Sequence, residues 1–405
     1  MMIMKPRIFI AAHYLEIGGA EISLIGLLQA IDYTRYDVDL FLYRHVGELM
    51  TLIPKEVNLL PEIPAYAQFE CPLKDTLFSR FWRIGLARLK TKLQYRQFAR
   101  THECPDNNAY FQLLANNVTP LLPSLDDLGE YDLAINFIGL MNIVRDKVKA
   151  NKKVTWIHTD YSKIGVYPEL ELPVWNSFDK IASISEASTD TFVQVFPSLK
   201  EKVVVIENIL SPGFVRSRAE KESAEGMIKK EGEICLLSVG RFCTAKNYDN
   251  LPFILKGIRE QGINAKWYII GYGGDESFIR QKIAEAGMQE HVIILGKKEN
   301  PHPYIKACDW YVQPSRYEGK SVTVREAQML CKPVIVTNYP TAPSQIQHGV
   351  DGVIVPMDIP GCAAKMVDAL RDESLKASIV EYLDSHDYGN MSEVEKIYKL
   401  AEDEK

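Results

Sequence analysis

The sequence lacks any run of about eighteen uncharged apolar residues, so no transmembrane helix is predicted. Its seven cysteines are odd in number and no two stand in a C-x-x-C spacing, which disfavours a disulfide framework and a zinc site. Buried thiols in a reducing compartment are the expected arrangement. The motifs G-x-x-x-x-G-K-[ST], H-E-x-x-H and G-x-S-x-G are also absent, so P-loop enzymes, zincins and serine hydrolases lack support.

The chain has no excess of positive charge, because it contains 47 Lys and Arg residues and 53 Asp and Glu residues, which gives a net charge of -6. This balance argues against a protein that coats nucleic acid, and no nucleic-acid partner is predicted. What remains is an ordinary globular composition, with 46% hydrophobic and 25% charged residues. At about 150 residues per domain, the length of 405 residues predicts two or three domains.

Short apolar, β-branched runs alternate with helical patterns along the chain, which is the signature of β-α-β units and a parallel sheet. The predicted strands lie at residues 7–12, 38–43, 133–137, 154–157, 180–185, 203–206, 234–239, 266–270, 292–295, 310–313 and 333–337. Two α/β halves are the simplest account of this pattern. Because residues 211–233 are crowded with charge and turn-forming residues, we predict domains at 1–209 and 210–385, followed by a charged helix at 386–405.

Residues 76–102 depart from the overall acidity, since they hold seven Lys or Arg residues and no carboxylate. A helical projection puts Phe78, Phe81, Trp82, Leu86, Leu89 and Leu93 on one face, with Arg80, Arg83 and Lys90 opposite. A cationic amphipathic helix of this kind suits the surface of an anionic membrane. A helix packed on its own domain with a solvated basic side explains the same pattern, and the sequence leaves both interpretations open.

Two cations, Arg241 and Lys246, lie five residues apart in the loop after the strand predicted at 234–239. In an open α/β sheet, ligands bind at such strand-to-loop junctions. Two cations at that position suit the neutralisation of a diphosphate. Taken alone, the pair is also what a solvated surface loop would contain.

Two carboxylates follow the strand predicted at 310–313. Glu318 precedes a Gly-Lys-Ser turn that should open a helix, and Glu326 lies eight residues further on. At a rise of 1.5 Å per residue the two can be up to about 12 Å apart, roughly the span of a ribose, a diphosphate and a sugar. Because the free amides of a helix start stabilise an anion, these acids together with the two cations predict one nucleotide-sugar site. Either glutamate alone would more simply form a surface salt bridge.

Together these motifs resemble glycosyltransferase family 4, the group 1 glycosyltransferases. The resemblance rests on Glu318-x7-Glu326, on Gly-Arg-x4-Lys at 240–246, on Gly271-Tyr272-Gly273 and on Gly18-Gly19-Ala20-Glu21. It is strongest over about residues 234–356 and weak over 60–130. It implies an α/β GT-B fold of two Rossmann-like domains with parallel sheets facing across a cleft. The first domain would bind the acceptor, the second the nucleotide sugar, and the final helix would return to the first domain.

The resemblance also implies roles for single residues. Arg241 and Lys246 would hold the donor diphosphate, Glu326 the ribose, and Glu318 the transferred sugar. The implied catalytic residues are Glu318, His158, Arg241 and Lys246, and the implied donor-binding residues are Gly18, Gly19, Arg241, Lys246, Gly271, Lys297, Glu318, Gly319, Lys320, Ser321, Val322 and Glu326. The chain departs from the family pattern at 319–321, where Gly-Lys-Ser replaces the commoner Gly-Phe-Gly.

The glycine pair and the histidine singled out in the first half of the chain can each be explained without a ligand. Gly18 and Gly19 follow the first predicted strand, where glycines let the backbone approach a phosphate closely, but a tight turn without a ligand also accounts for them. His158 follows the strand at 154–157, and the resemblance implies that it contacts the transferred sugar. An isolated histidine can equally be structural.

The predicted function is that of a retaining hexosyltransferase, working without a metal or other cofactor. It would move a sugar from a nucleotide-diphosphate donor to a carbohydrate or lipid-linked saccharide acceptor in polysaccharide biosynthesis. We expect a cytoplasmic protein, either free or attached peripherally to the inner face of the membrane through residues 76–102. Two alternatives remain: a nucleotide-sugar epimerase of the same fold, and a non-catalytic peripheral membrane or carbohydrate-binding protein.

Overall fold

The computed structural model describes residues 5–402, which form two compact units. One unit comprises the described residues up to Ile209 together with those from Met391 onward, and the other is Leu210–Asn390. Each unit has its own parallel β-sheet and its own hydrophobic core.

The N-terminal unit is built on parallel strands. These strands are β1 (Arg7–Ala12), β2 (Asp37–Leu42), β3 (Asn58–Leu59), β4 (Glu130–Asn136), β5 (Lys149–Ile157), β6 (Lys180–Ser183) and β7 (Val203–Val205). Their order in the sheet is β3-β2-β1-β4-β5-β6-β7, so the winding reverses between β1 and β4. The helices of this unit are α1 (Gly19–Ala30), α2 (Leu73–Leu77), α3 (Trp82–Phe98), α4 (Asn108–Val118), α5 (Met141–Lys147), α6 (Pro168–Trp175), α7 (Glu186–Val195) and α16 (Val394–Glu402).

The C-terminal unit repeats the same principle with strands β8 (Ile234–Val239), β9 (Ala265–Ile270), β10 (Val292–Gly296), β11 (Trp310–Gln313), β12 (Val334–Thr337) and β13 (Val353–Val355). The sheet order is β10-β9-β8-β11-β12-β13, and here the winding reverses between β8 and β11. The helices are α8 (Pro212–Ala219), α9 (Leu251–Glu260), α10 (Glu276–Ala286), α11 (His302–Ala307), α12 (Val322–Met329), α13 (Ala342–Gln345), α14 (Ile359–Arg371) and α15 (Glu373–Ser385).

The apolar side chains of β8 show why this sheet is covered on both faces. Leu236 belongs to one buried cluster, whereas its neighbours Cys235 and Leu237 belong to another. Successive side chains of a strand point to opposite faces, so the two clusters lie on either side of the sheet. A near-continuous apolar strand is what a parallel sheet with helices on both faces requires.

Each of the predicted strands is present to within a few residues, apart from the start of β5. That strand begins at Lys149 because its charged first half pairs with the equally polar start of β4, where Glu130 lies opposite Lys149. The sequence also missed β3 and β13, which have only two and three residues and therefore show no usable alternation.

The basic segment 76–102 differs from its prediction. Its main helix, α3, begins only at Trp82, because the Ser79 hydroxyl accepts the amide of Phe81 at 3.0 Å and ends the preceding turn. The face that packs on the unit carries Ile84 and Arg88, whereas the predicted apolar face points outward. The interpretation in which that apolar face covers the domain is therefore wrong, although the cations predicted opposite it, Arg80, Arg83 and Lys90, are exposed as expected.

The last described helix, α16, packs within the N-terminal unit. The ring of Tyr398 stacks on that of Tyr36 with 4.3 Å between centroids, and its hydroxyl accepts the amide of Asp32 at 2.7 Å. The cysteines are all free thiols, as expected from their spacing. Full burial was expected for them but holds only for Cys235, Cys308 and Cys362.

Candidate active site

The reversal point of the C-terminal sheet brings two of the predicted site residues into contact. Lys246 lies in the loop after β8 and Glu318 lies in the loop after β11, and these two strands are neighbours in the sheet. Loops that leave adjacent parallel strands on either side of a reversal point frame a crevice. The Lys246 Nζ is 2.5 Å from the Glu318 Oε1, and both side chains are mostly buried.

Glu318 is held in place by further donors. Its Oε1 also accepts hydrogen bonds from the Gln313 amide at 2.8 Å and from the Ser315 hydroxyl at 2.6 Å. Gln313 is the last residue of β11, so the carboxylate is fixed directly to the end of the strand. One cation and two neutral donors thus fix the orientation of this carboxylate.

The two loops are tied together by residues that the sequence analysis missed. The Arg316 guanidinium forms a bidentate pair with Asp249, at 2.9 and 2.7 Å, and the Arg316 amide donates to the Ala245 carbonyl at 2.8 Å. Asn247 adopts a left-handed backbone with φ of 59°, and its side-chain amide donates to the Pro314 carbonyl at 2.9 Å. Because asparagine tolerates this conformation better than most residues, the turn that presents Lys246 has a local sequence cause.

Arg241 differs from Lys246, although both follow β8. Its side chain is exposed, and it has no ion pair or hydrogen bond with the rest of residues 5–402. A solvated cation beside a mostly buried lysine leaves unneutralised positive charge at this edge of the sheet.

Glu326 is completely buried in α12, with 0% of its surface exposed. Its Oε1 lies 3.1 Å from the His302 Nε2, while its Oε2 has no hydrogen-bond partner among the described residues. The other ring nitrogen of His302 is 2.9 Å from the Asn300 Oδ1. Since the Asn300 side-chain amide donates to the Arg218 carbonyl, its Oδ1 is the atom that faces His302 and accepts from it.

The sequence analysis also missed His302, because nothing in its spacing distinguishes it from a core histidine. Its significance comes only from the fold, which brings α11 against α12. Few buried carboxylate oxygens are left unpaired in folded proteins, so the Oε2 of Glu326 is an acceptor without a donor among residues 5–402.

The glycines after β9 are required by close packing. A Cβ atom at Gly271 would overlap the Gly240 carbonyl oxygen, and one at Gly273 would overlap the backbone of Phe242. The loops after β8 and β9 therefore lie in direct backbone contact. After β10, the Lys297 ammonium lies 4.8 Å from the centre of the Tyr272 ring, which brings this predicted site residue to the same edge of the sheet.

The turn at 319–322 leads into α12, which begins at Val322. The sequence analysis expected the amides of Lys320, Ser321 and Val322 to meet a ligand. In the structure the Ser321 amide donates to the Gln345 side chain at 3.1 Å, so this amide already has a partner. A ligand would have to displace Gln345 to reach it. Gly319 lies in the same turn, between Glu318 and Lys320.

In the N-terminal unit, polar residues gather where β1, β4 and β5 end. His158 follows β5, and its Nε2 bonds the Phe137 carbonyl at 2.8 Å, while its Nδ1 has no partner among residues 5–402. Desolvation lowers the pKa of His158 to about 4, so the ring is neutral at pH 7. His13, directly after β1, lies 3.2 Å from Glu21.

Gly18 precedes the first turn of α1, which begins at Gly19. A side chain at Gly18 would overlap the Glu21 carboxylate, so the glycine gives room for the contact between Glu21 and His13. The sequence analysis quoted Glu21 only as part of a motif and missed His13. Their proximity is local, because a loop of only six residues separates the end of β1 from the start of α1.

Residues 220–385 match the sequence model of the family described as "Glycosyl transferases group 1". This range contains Arg241, Lys246, Glu318 and Glu326. The C-terminal unit carries a group 1 glycosyltransferase domain. The resemblance inferred from the motifs is thereby confirmed.

Curated relatives of this glycosyltransferase domain are distant. The amylovoran biosynthesis glycosyltransferase AmsD of Erwinia amylovora is 26% identical over 214 residues, which are 52% of this chain and 58% of that protein. An N-acetylgalactosamine-N,N'-diacetylbacillosaminyl-diphospho-undecaprenol 4-alpha-N-acetylgalactosaminyltransferase of Campylobacter jejuni is 24% identical over 182 residues, which are 44% of this chain and 47% of that protein. The chain thus matches about half the length of these relatives.

The likeness to solved structures extends over both units. HepE of Anabaena, solved in complex with UDP and glucose, superimposes with a TM-score of 0.70 at 17% identity, covering 97% of this chain and 98% of that one. At this identity the likeness concerns the fold. The predicted GT-B fold class, with two Rossmann-like domains on parallel sheets, is confirmed.

The described residues show neither a metal site nor a membrane-spanning helix. No set of three or more His, Cys, Asp and Glu side chains within residues 5–402 is arranged as a metal site. None of the helices in the described part of the chain has the length and hydropathy needed to cross a bilayer.

Proposed function

We propose that this protein is a retaining glycosyltransferase that moves a hexose from a nucleotide-diphosphate donor to a carbohydrate or lipid-linked saccharide acceptor. The observation that carries the proposal is the contact of Lys246 with Glu318 at the reversal point of the C-terminal sheet. A cation and an acid held side by side suit a ligand that presents a phosphate next to a sugar hydroxyl.

In this proposal Lys246 and the exposed Arg241 bind the diphosphate. Glu318 accepts hydrogen bonds from hydroxyls of the transferred sugar, and the unpaired Oε2 of Glu326 accepts one from the ribose. The turn at Gly319, Lys320, Ser321 and Val322 lies beside the phosphate, with Gly271 and Lys297 at the neighbouring loops. Gly18, Gly19 and His158 of the N-terminal unit keep the roles that the family resemblance implies, and the neutral imidazole of His158 can donate or accept a hydrogen bond but adds no charge.

The chemistry follows from these roles. The bond between the anomeric carbon and the phosphate oxygen breaks, a bond to the acceptor oxygen forms on the same face, and the acceptor proton passes to the leaving phosphate. Negative charge grows on the diphosphate as the first bond breaks. Cations positioned at that oxygen stabilise the transition state more than the ground state, which lowers the barrier.

The reaction is proposed to need no metal ion, because Arg241, Lys246 and the start of α12 supply positive charge where the diphosphate would lie. A role in polysaccharide biosynthesis is supported by relatives named for amylovoran biosynthesis and for a diphospho-undecaprenol substrate. The latter name also supports a lipid-linked acceptor.

A donor panel tests the proposal. The purified full chain is mixed with UDP-, GDP-, ADP- and dTDP-sugars, with and without a mixture of saccharide acceptors, and products are identified by mass spectrometry. We expect one donor to be consumed with transfer to an acceptor, equally with and without EDTA. Isomerised donor without acceptor would indicate an epimerase, and no binding of any nucleotide diphosphate would indicate a non-catalytic protein.

Matched variants assign the reaction to the site. Glu326→Gln should weaken donor binding, whereas Glu260→Gln, an exposed acid at the end of α9, should leave it unchanged. Full transfer by Glu326→Gln would contradict the role of this carboxylate.

A further inference from the structure

Helix α3 exposes an apolar stripe on the N-terminal unit. Trp82, Leu86, Leu89 and Leu93 are 52%, 50%, 41% and 59% exposed, and Phe78 just before the helix is 85% exposed. These are five of the eleven large hydrophobic side chains that the described residues leave exposed. At 100° per residue the four helical members fall within a sector of about 60°. A contiguous apolar patch of this kind marks a surface that another body covers.

The outward direction of the stripe is fixed by the opposite side of the helix. Arg88 is buried there, and one of its guanidinium nitrogens donates to the carbonyls of Gln68 and Cys71, both at 2.7 Å. Thr91, also buried, accepts the Asn117 amide of α4 at 3.1 Å. Because a buried guanidinium needs such partners, the helix cannot rotate its leucines inward without leaving Arg88 unpaired.

Cations line both edges of the stripe. On the helix surface Arg83 and Lys90 lie along one edge, and Lys92 and Arg96 along the other. All four are exposed, and none forms an ion pair within residues 5–402. Residues 76–102 contain no carboxylate. The surface therefore presents an apolar centre between two unneutralised positive rows.

We propose that α3 is a docking surface for an anionic lipid bilayer. The helix would lie in the plane of the interface, with Trp82 and the three leucines at the boundary of headgroups and acyl chains and the cations against lipid phosphates. Nucleic acid would satisfy the cations but offers no apolar medium for the leucines. The proposal rests on the proposed function only for its purpose, which is to bring the protein to a lipid-linked acceptor.

Vesicle binding tests the surface directly. The full chain is sedimented with vesicles of phosphatidylcholine alone or with 30% phosphatidylglycerol. We expect binding only to the anionic vesicles, weakening as salt is raised. Replacing Arg83, Lys90, Lys92 and Arg96 by Gln should weaken binding about fivefold per cation. Replacing Leu86, Leu89 and Leu93 by Ser should abolish it.

Matched controls separate this surface from general charge and hydrophobicity. Gln at Lys221, Lys230, Lys256 and Lys376 removes the same charge from the C-terminal unit, and Ser at Ile228 and Phe278 removes exposed apolar groups. These variants should bind like the unaltered protein. Trp82 is the only exposed tryptophan among the described residues, so its emission should shift to the blue on binding and not in Trp82→Phe.

Three outcomes would overturn the proposal: no binding to anionic vesicles, equal loss in the control variants, or dimerisation through the stripe without vesicle binding, measured by light scattering. Donor turnover with a water-soluble acceptor should be unchanged in the α3 variants. Vesicle binding without any turnover would leave the docking surface intact and reject the proposed function instead.

Discussion

The two sheets reverse their winding at equivalent places, but the side chains beside the two reversal points differ in charge. In the C-terminal unit, Lys246 and Glu318 form an ion pair beside the solvated Arg241. In the N-terminal unit, the residues are His158, kept neutral by its lowered pKa, and the pair of His13 with Glu21. The same architecture thus carries two cations and one acid at one reversal point, and two histidines and one acid at the other.

The sharpest test of this comparison removes charge from the C-terminal reversal point. Lys246→Met and Glu318→Gln should each lower kcat by roughly 10²–10³-fold, because each removes a group that acts on the reacting sugar phosphate. The double variant should be hardly worse than either single one, since the two side chains act as a unit. Steady-state kinetics measures this, with Lys256→Met as the surface control. Additive losses would show that the pair does not act together.

A smaller effect is expected at the buried contact of His302 with Glu326. His302→Leu leaves the Glu326 carboxylate without its partner and should raise the Kd for the nucleoside diphosphate about tenfold, with kcat little changed. His302→Gln keeps a donor and should restore most of the affinity. Titration calorimetry over pH 6 to 9 measures this, with His386→Leu on the surface as the control. A loss of kcat with unchanged affinity would contradict the positioning role.

Arg316 and Asp249 form a clamp between the loops after β8 and β11. We expect this clamp to affect the stability of the C-terminal unit more than the rate of the reaction. Arg316→Lys loses the bidentate contact with Asp249 and should destabilise the C-terminal unit by about 1–2 kcal/mol. Arg280→Lys, which changes an exposed pair with Glu276, should cost much less. Thermal unfolding followed by circular dichroism checks both. Equal effects would mean that the clamp is no stronger than a surface ion pair.

An effect on stability of similar size is expected from pH in the N-terminal unit. The pKa of His158 falls from 6.5 to about 4 on folding, so between those pH values the ring is protonated in the unfolded chain but not in the folded chain. Protonation of the unfolded chain at His158 therefore lowers the free energy of unfolding as the pH falls from about 6.5 towards 4. His158→Asn should flatten this decline, whereas His102→Asn on the surface should not. Unfolding midpoints at pH 7.5, 6 and 5 measure the slopes, and parallel slopes would refute the assignment.

The sequence allowed prediction of the strands and of the residues that follow them, because apolar runs and the loops after them are local features. Lys246 and Glu318 were found in this way. Their direct contact was not predictable, since it depends on β8 and β11 being neighbours in the sheet. His302 and Asp249 were missed for the same reason, since their partners Glu326 and Arg316 are 24 and 67 residues away in sequence.

The direction of α3 shows a different limit. Periodicity identified its apolar stripe but left open whether that stripe covers the domain or faces outward. A helical projection shows which residues share a face and cannot show which face the domain covers. In α3 the buried Arg88 determines which face packs on the domain, because its guanidinium donates to the carbonyls of Gln68 and Cys71.

The pairing of Lys246 with Glu318 has a consequence for turnover. Under the proposed function, a bound sugar nucleotide would exchange this ion pair for two contacts, one of the phosphate with Lys246 and one of the sugar with Glu318. After transfer, the spent nucleotide would keep only the contact with the lysine, and the freed carboxylate would compete to re-form the ion pair. Re-formation of the pair would then favour release of the product.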